Sequence, residues 1–153
     1  MALADRHAAR FQALVQERVP ERVLAAGYVS AAGAAKASAF RGSTTGLIGQ
    51  AIGARVERDA RNAAADAGFP PTTWLGVTPT RVYAFAADGA TVRDLVGAWN
   101  RHDVVVTKSE KVATTRLSLR FGAEGPCVRV EARKWGAGNH RLLRYLLDPA
   151  LAD

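Results

Sequence analysis

From residue 72 onward the chain alternates between two kinds of position. Thr73, Leu75 and Val77 are set against Trp74 and Gly76, and Val82, Ala84 and Ala86 against Tyr83 and Phe85. A period of two is that of a strand with one buried face, and Thr78-Pro79-Thr80 between the runs reads as the turn of a hairpin. Asp88-Gly89 marks a second turn. Thr91 to Trp99 is apolar without a clear period, and Val104 to Thr107 reads as a short strand. Thr114 to Phe121 is the cleanest strand, with Leu117, Leu119 and Phe121 on one side and Arg116, Ser118 and Arg120 on the other. After a turn at Glu124-Gly125-Pro126, Val128, Val130 and Ala132 alternate with Arg129, Glu131 and Arg133. One dry face and one wet face are the signature of antiparallel sheet. The period then changes: Leu142, Leu143, Leu146 and Leu147 predict an amphipathic helix, with Asn139 as N-cap and Asp148-Pro149 as the stop.

The first half of the chain is patterned differently. Leu3, Phe11, Leu14 and Val15 keep a helical spacing over residues 3 to 18, and Pro20 ends it. Arg22 to Ser30, with Val23, Tyr28 and Val29, predicts a strand; Leu24, Ala25 and Ala26 leave a second helix open. Residues 31 to 68 are rich in Ala and Gly. Ser43 is a plausible N-cap, and Gly68, Pro70 and Pro71 close the segment. Gly42, Gly46, Gly49, Gly53, Val56, Ala60, Ala63 and Ala67 fall on one helical stripe. Small residues at this spacing let another helix approach closely. From Gly42 to Ala54 there is no charge, but the apolar run is too short to span a bilayer, which takes about 20 residues. The expectation is a helical insertion that packs against another helix or a second copy. The alternative is that Leu47, Ile48 and Ile52, with Phe40, rest in a membrane interface.

Composition narrows the function classes. The 153 residues fit one domain of ordinary globular make-up, 48% hydrophobic and 23% charged. The pattern divides them into an N-terminal helix over residues 1–19 and a domain over residues 20–148 that carries the insertion at 31–68. The net charge of +7 favours polyanions as partners. Cys127 is the single cysteine, so an internal disulfide and a paired-cysteine zinc site are excluded. The charged opening segment lacks the apolar core of a signal peptide, which predicts a cytoplasmic protein, peripheral to the membrane if the insertion binds lipid.

Candidate chemistry is sparse. Cys127 lies on a predicted strand, and His7, His102 and His140 are scattered over other elements. His102-Asp103 are neighbours, whose side chains on a strand would point opposite ways. Arg41-Gly42-Ser43-Thr44-Thr45-Gly46 invites comparison with a phosphate loop, but its glycines are too close and Leu47 stands where the lysine is required. Trp74, Trp99 and Trp135 are expected to pack. No catalytic residue, cofactor or metal is therefore expected. The remaining candidates are anion-binding: Arg116, Arg120, Arg129 and Arg133 on the polar face of the two best strands, with Arg101, Lys108 and Lys111 in the approaches. No aromatic residues alternate with these arginines to stack bases.

Two stretches resemble the bacterial pleckstrin-homology-like domains of GRAM-like type. Pro20-Glu21-Arg22-Val23-Leu24-Ala25-Ala26 is similar to their first strand. Trp74-Leu75-Gly76-Val77-Thr78-Pro79-Thr80-Arg81-Val82-Tyr83-Ala84-Phe85 is similar to their apolar strand, Thr-x-x-Arg turn and aromatic strand. Gly138 to Leu147 stands where their capping helix belongs. The likeness covers residues 20–30 and 72–148; the insertion departs from it. It implies an α+β fold, a strongly bent seven-stranded antiparallel sheet or barrel closed at one end by the last helix. It implies a non-catalytic interaction domain for protein–protein or oligomer contacts. Anionic lipid bound through the Gly/Ala-rich helix and arginines, or nucleic acid on the basic sheet face, is the alternative.

Overall fold

A computed structural model describes residues 3–31, 58, 68–111, 114–123, 125, 127–133 and 139–152. In chain order these form α1 (Leu3–Gln16), β1 (Ala25–Ala31), β2 (Thr72–Val77), β3 (Arg81–Asp88) and β4 (Thr91–Asn100). A short 3-10 turn (Arg101–Asp103) leads to β5 (Val104–Glu110), β6 (Thr114–Phe121), β7 (Cys127–Arg133) and α2 (Asn139–Leu147). The seven strands make one sheet in the order β4-β3-β2-β1-β7-β6-β5, with every pair antiparallel. β4 and β5 are its two edges. The sheet is open, so the closed barrel among the expectations does not form.

Strand alternation gives the sheet two dry faces. On one face Ala25, Val29 and Ala31 of β1 join Leu75 and Val77, Val82 and Ala84, Leu117, Leu119 and Phe121, and Val128, Val130 and Ala132. Leu142, Tyr145 and Leu146 of α2 complete that core. On the other face Ala26, Trp74, Tyr83, Phe85 and Val92 meet Val15 of α1 and Val19 and Val23 after it. The result is three layers, with α1 and α2 on opposite sides of the sheet. Leu75, Leu117, Leu119 and Leu142 are wholly buried, each contributing roughly 2 kcal/mol on transfer from water.

Both helices approach the sheet over glycines. A Cβ on Gly76 would lie 2.6 Å from Val15 Cγ1, and one on Gly27 would lie 2.6 Å from Asn139 Oδ1 and 2.7 Å from Leu142 Cδ2. Glutamines fix the chain between α1 and β1. Gln12 Nε2 donates to the Val23 carbonyl at 2.6 Å, Gln16 Nε2 to the Glu21 carbonyl at 2.8 Å, and Val23 N donates back to Gln16 Oε1 at 2.8 Å.

Two sequence expectations change. The stretch Thr91 to Trp99 is a full strand, β4, whose register against β3 slips between Ala84 and Phe85 and again before Ala87. β5 continues past Thr107 to Glu110. The strand expected over Arg22 to Ser30 forms, from Ala25 to Ala31. The Ala/Gly-rich insertion, apart from Ala31, Arg58 and Gly68, lies outside the described residues, and with it Gly42, Gly46, Leu47, Ile48, Gly49, Ile52 and Gly53.

Candidate functional site

The open edge at β5 borders a groove. β5 pairs with β6 in unbroken register from Val104–Phe121 to Glu110–Thr115, and its other side has no strand partner among the described residues. Its side chains alternate. Val104 and Val106 point into the core under α2, so Lys108 and Glu110 follow on the same face. Across from them, α2 buries Leu142, Tyr145 and Leu146. It presents the stripe His140, Leu143, Arg144 and Leu147, spaced three and four apart along one helix face. Between strand and helix lies a cleft of about 400 Å³, lined by Lys108, Glu110, Thr115 and that stripe. Leu147 is 38% exposed within it. Lys108 Nζ stands 3.9 Å from Glu110 Oε1, and the Thr115 hydroxyl is 3.5 Å from Glu110 Oε2. The floor is apolar, the rim is mostly cationic, and a row of strand amides and carbonyls runs along one wall.

The basic residues expected to bind anions together are divided among three places. Arg116, Arg120, Arg129 and Arg133 share the sheet face opposite α2. There Arg129 stands opposite Ser118, diagonally between Arg116 and Arg120, neighbours about 7–8 Å away. Arg116 is committed: its Nη2 donates to Glu131 Oε1 at 2.9 Å, and Glu131 is 5% exposed. Arg120, Arg129 and Arg133 are exposed. Lys108 faces the other way, into the groove, and Lys111 is exposed in the β5–β6 turn. Arg101 is not on the surface. It is 2% exposed, and its guanidinium donates to the carbonyls of Tyr145 at 2.8 Å, Asp148 at 2.9 Å and Leu151. Burial pushes its pKa down, against the pull of Asp148 and Tyr145. Its role is to hold the end of α2, which leaves it unavailable to an external anion.

A polar cluster ties the start of the domain to the β2–β3 turn. The Thr80 hydroxyl donates to Glu21 Oε2 at 2.5 Å, Thr78 to the same oxygen at 3.1 Å, and the Tyr83 hydroxyl to Glu21 Oε1 at 3.3 Å. The Thr80 hydrogen bond, with those of Thr78 and Tyr83, holds the Glu21 carboxyl below its ordinary range, although burial opposes this. Burial, then the Glu21 charge, pushes the Tyr83 phenol up. These groups satisfy one another.

Cys127 is exposed on the arginine face, whereas His140 lies in the groove on the opposite side of the sheet. No hydrogen bond joins Cys127 to His140 or His102. Among the described residues no three His, Cys, Asp or Glu side chains converge as a metal site would require. Among the same residues no helix is long and apolar enough to cross a membrane.

Of the groove lining, only Lys108 was a candidate binding residue from the sequence, where Leu143 and Leu147 read as the apolar face of the last helix and His140 as an isolated histidine. Three segments contribute to the groove, and the register of β5 is not legible without its partner strand. The helical spacing of His140, Leu143, Arg144 and Leu147 was a usable signal, since it describes a second, half-apolar stripe beside the buried one. No protein-family model matches the chain, and no curated protein matches it.

Proposed function

We propose that the chain is a non-catalytic interaction domain of pleckstrin-homology-like type that receives an extended segment of a partner protein beside β5, under α2. The observation that carries this reading is the regular edge of β5, which has no strand partner among the described residues, beside a half-apolar groove. An exposed strand edge is a template for another strand, and proteins that do not use one usually blunt it with prolines, bulges or inward-pointing charges. The other edge is blunted in this way: β4 carries two register slips and an Arg93–Asp88 ion pair at 2.9 Å. β5 has neither proline nor bulge, and its two charges, Lys108 and Glu110, lie together on the groove side. A strand added there would gain main-chain hydrogen bonds from β5 and specificity from the groove under alternate side chains. The strand order and the helix on one sheet face support the pleckstrin-homology-like likeness, which carries no catalysis with it.

The test is selection of random peptides against the purified chain, followed by amide hydrogen exchange of β5. Binders should protect alternate β5 amides and lose affinity when Leu147→Asp places a charge on the groove floor. Binders that leave β5 exchange and Leu147→Asp affinity unchanged would reject the reading.

A further inference from the structure

The groove has a polarity, and the polarity names the class of its occupant. Arg101, directly before β5, holds the carbonyls of Tyr145, Asp148 and Leu151. The start of β5 therefore lies beside the end of α2, and the end of β5 beside its start. Along that axis the lining changes character. At one end is the exposed Leu147. Towards the other are Lys108, Arg144 and His140, with Lys111 exposed just beyond. Among the described lining residues Glu110 is the single carboxylate, and Lys108 and Thr115 stand against it. The groove is thus apolar at one end and cationic at the other.

We infer that the occupant is an acidic extended peptide segment. It sets an apolar side chain over Leu147 and a carboxylate, two residues along, against Lys108 and Arg144. Two residues of strand span about 6.6 Å and return to the same face, so one alternating segment can meet both ends. This rests on the strand-addition reading above. Charge separates this occupant from the others. A basic segment would meet Lys108 and Arg144 against one carboxylate, with Lys111 just beyond. A second copy of the chain would bring the same cations against themselves, on a molecule already at +7. A nucleic acid would leave Leu143 and Leu147 facing phosphates.

The experiment uses two labelled peptides of equal length, one alternating valine with glutamate and one alternating valine with lysine. Each is titrated by fluorescence anisotropy, with β5 amide exchange as the site readout. The glutamate peptide should bind at least about tenfold more tightly than the lysine peptide, and added salt should shrink the gap. Lys108→Glu with Arg144→Glu should invert the preference. Both side chains are exposed, so the circular dichroism of this variant should match the parent; His140→Glu is the milder variant should it not. Equal binding of the two peptides with β5 protected overturns the acidic occupant and leaves strand addition standing. Failure of both peptides to protect β5 overturns both readings. Light scattering that shows a dimer lost on Leu147→Asp replaces the peptide with a second copy.

Discussion

Arg101 joins a buried charge to a helix end. The last carbonyls of a helix have no partner within it, and the negative end of its dipole favours a cation. Here one planar guanidinium serves carbonyls at and beyond the last turn of α2, from a position 2% exposed. Burial depresses its pKa, yet arginine keeps its proton at any pH at which the fold exists. Arg101→Met should therefore cost about 1–3 kcal/mol, because the carbonyls it serves lose their donor, seen as a lower urea midpoint at unchanged slope. Arg101→Lys should recover only part, because an ammonium cannot reproduce the fork. Glu21 is a second residue-scale lever, with a sign that can be checked. Its folded pKa is lowered, first by Thr80. Its contribution to stability is then complete above the unfolded value, ordinarily 4.5, and is lost as pH falls through the folded value. Glu21→Gln should flatten the acid side of a thermal-stability profile and leave the region above pH 5 with a pH-independent loss. An acid limb unchanged in the variant would mean that another carboxylate sets it. Tyr83 acts oppositely. Its raised pKa keeps its contribution intact below about pH 10 and removes it at higher pH.

At the scale of elements, glycine sets how closely the helices dock. Val15 is wholly buried and sits where a Gly76 Cβ would be, at 2.6 Å. Gly76→Ala should cost about 1–3 kcal/mol through overpacking. Val15→Ala removes the opposing methyl groups, so the double variant should lose less than the sum of the two singles, a coupling that a double-mutant cycle in urea reads directly. Strict additivity would place the strain elsewhere. The same elements show what the sequence makes legible. β6, β7 and α2 each bury one side of a regular repeat, and their period is visible in Leu117-Ser118-Leu119 or in Leu142, Tyr145 and Leu146. β4 carries no such repeat. Its bulges shift the register against β3, and Arg93, Asp94 and Leu95 are all exposed in mid-strand. The second half of β5 is equally hidden, since an edge strand leaves Lys108, Ser109 and Glu110 in water. The groove inherits that opacity. Its wall is a strand with five of seven residues exposed, and its other side is the stripe of α2 that the buried leucines overshadow.

Across the whole molecule, the sheet separates two systems of charge. Arg120, Arg129 and Arg133 stand on the α1 side, where Arg116 is already engaged with Glu131; Lys108, His140 and Arg144 stand on the α2 side. A packed layer is about 10 Å thick, which is close to the screening length of about 10 Å in 0.1 M salt. The two systems should therefore act on different quantities. Replacing Arg120, Arg129 and Arg133 with serine takes three units from the net charge of +7. The variant should leave a cation-exchange column at lower salt. Its stability should stay within roughly 0.5 kcal/mol of the parent per site, since exposed substitutions are usually that mild. Towards an acidic peptide, removal of distant exposed charge lowers the association rate, because long-range attraction steers encounter. The dissociation rate reports the groove itself, so it should not move. Lys108→Glu with Arg144→Glu should do the reverse, raising the dissociation rate much more than it lowers association. Stopped-flow traces of the two variants separate the cases. If the serine variant also dissociates faster, the arginine face touches the ligand, and the acidic segment crosses the sheet edge instead of ending in the groove.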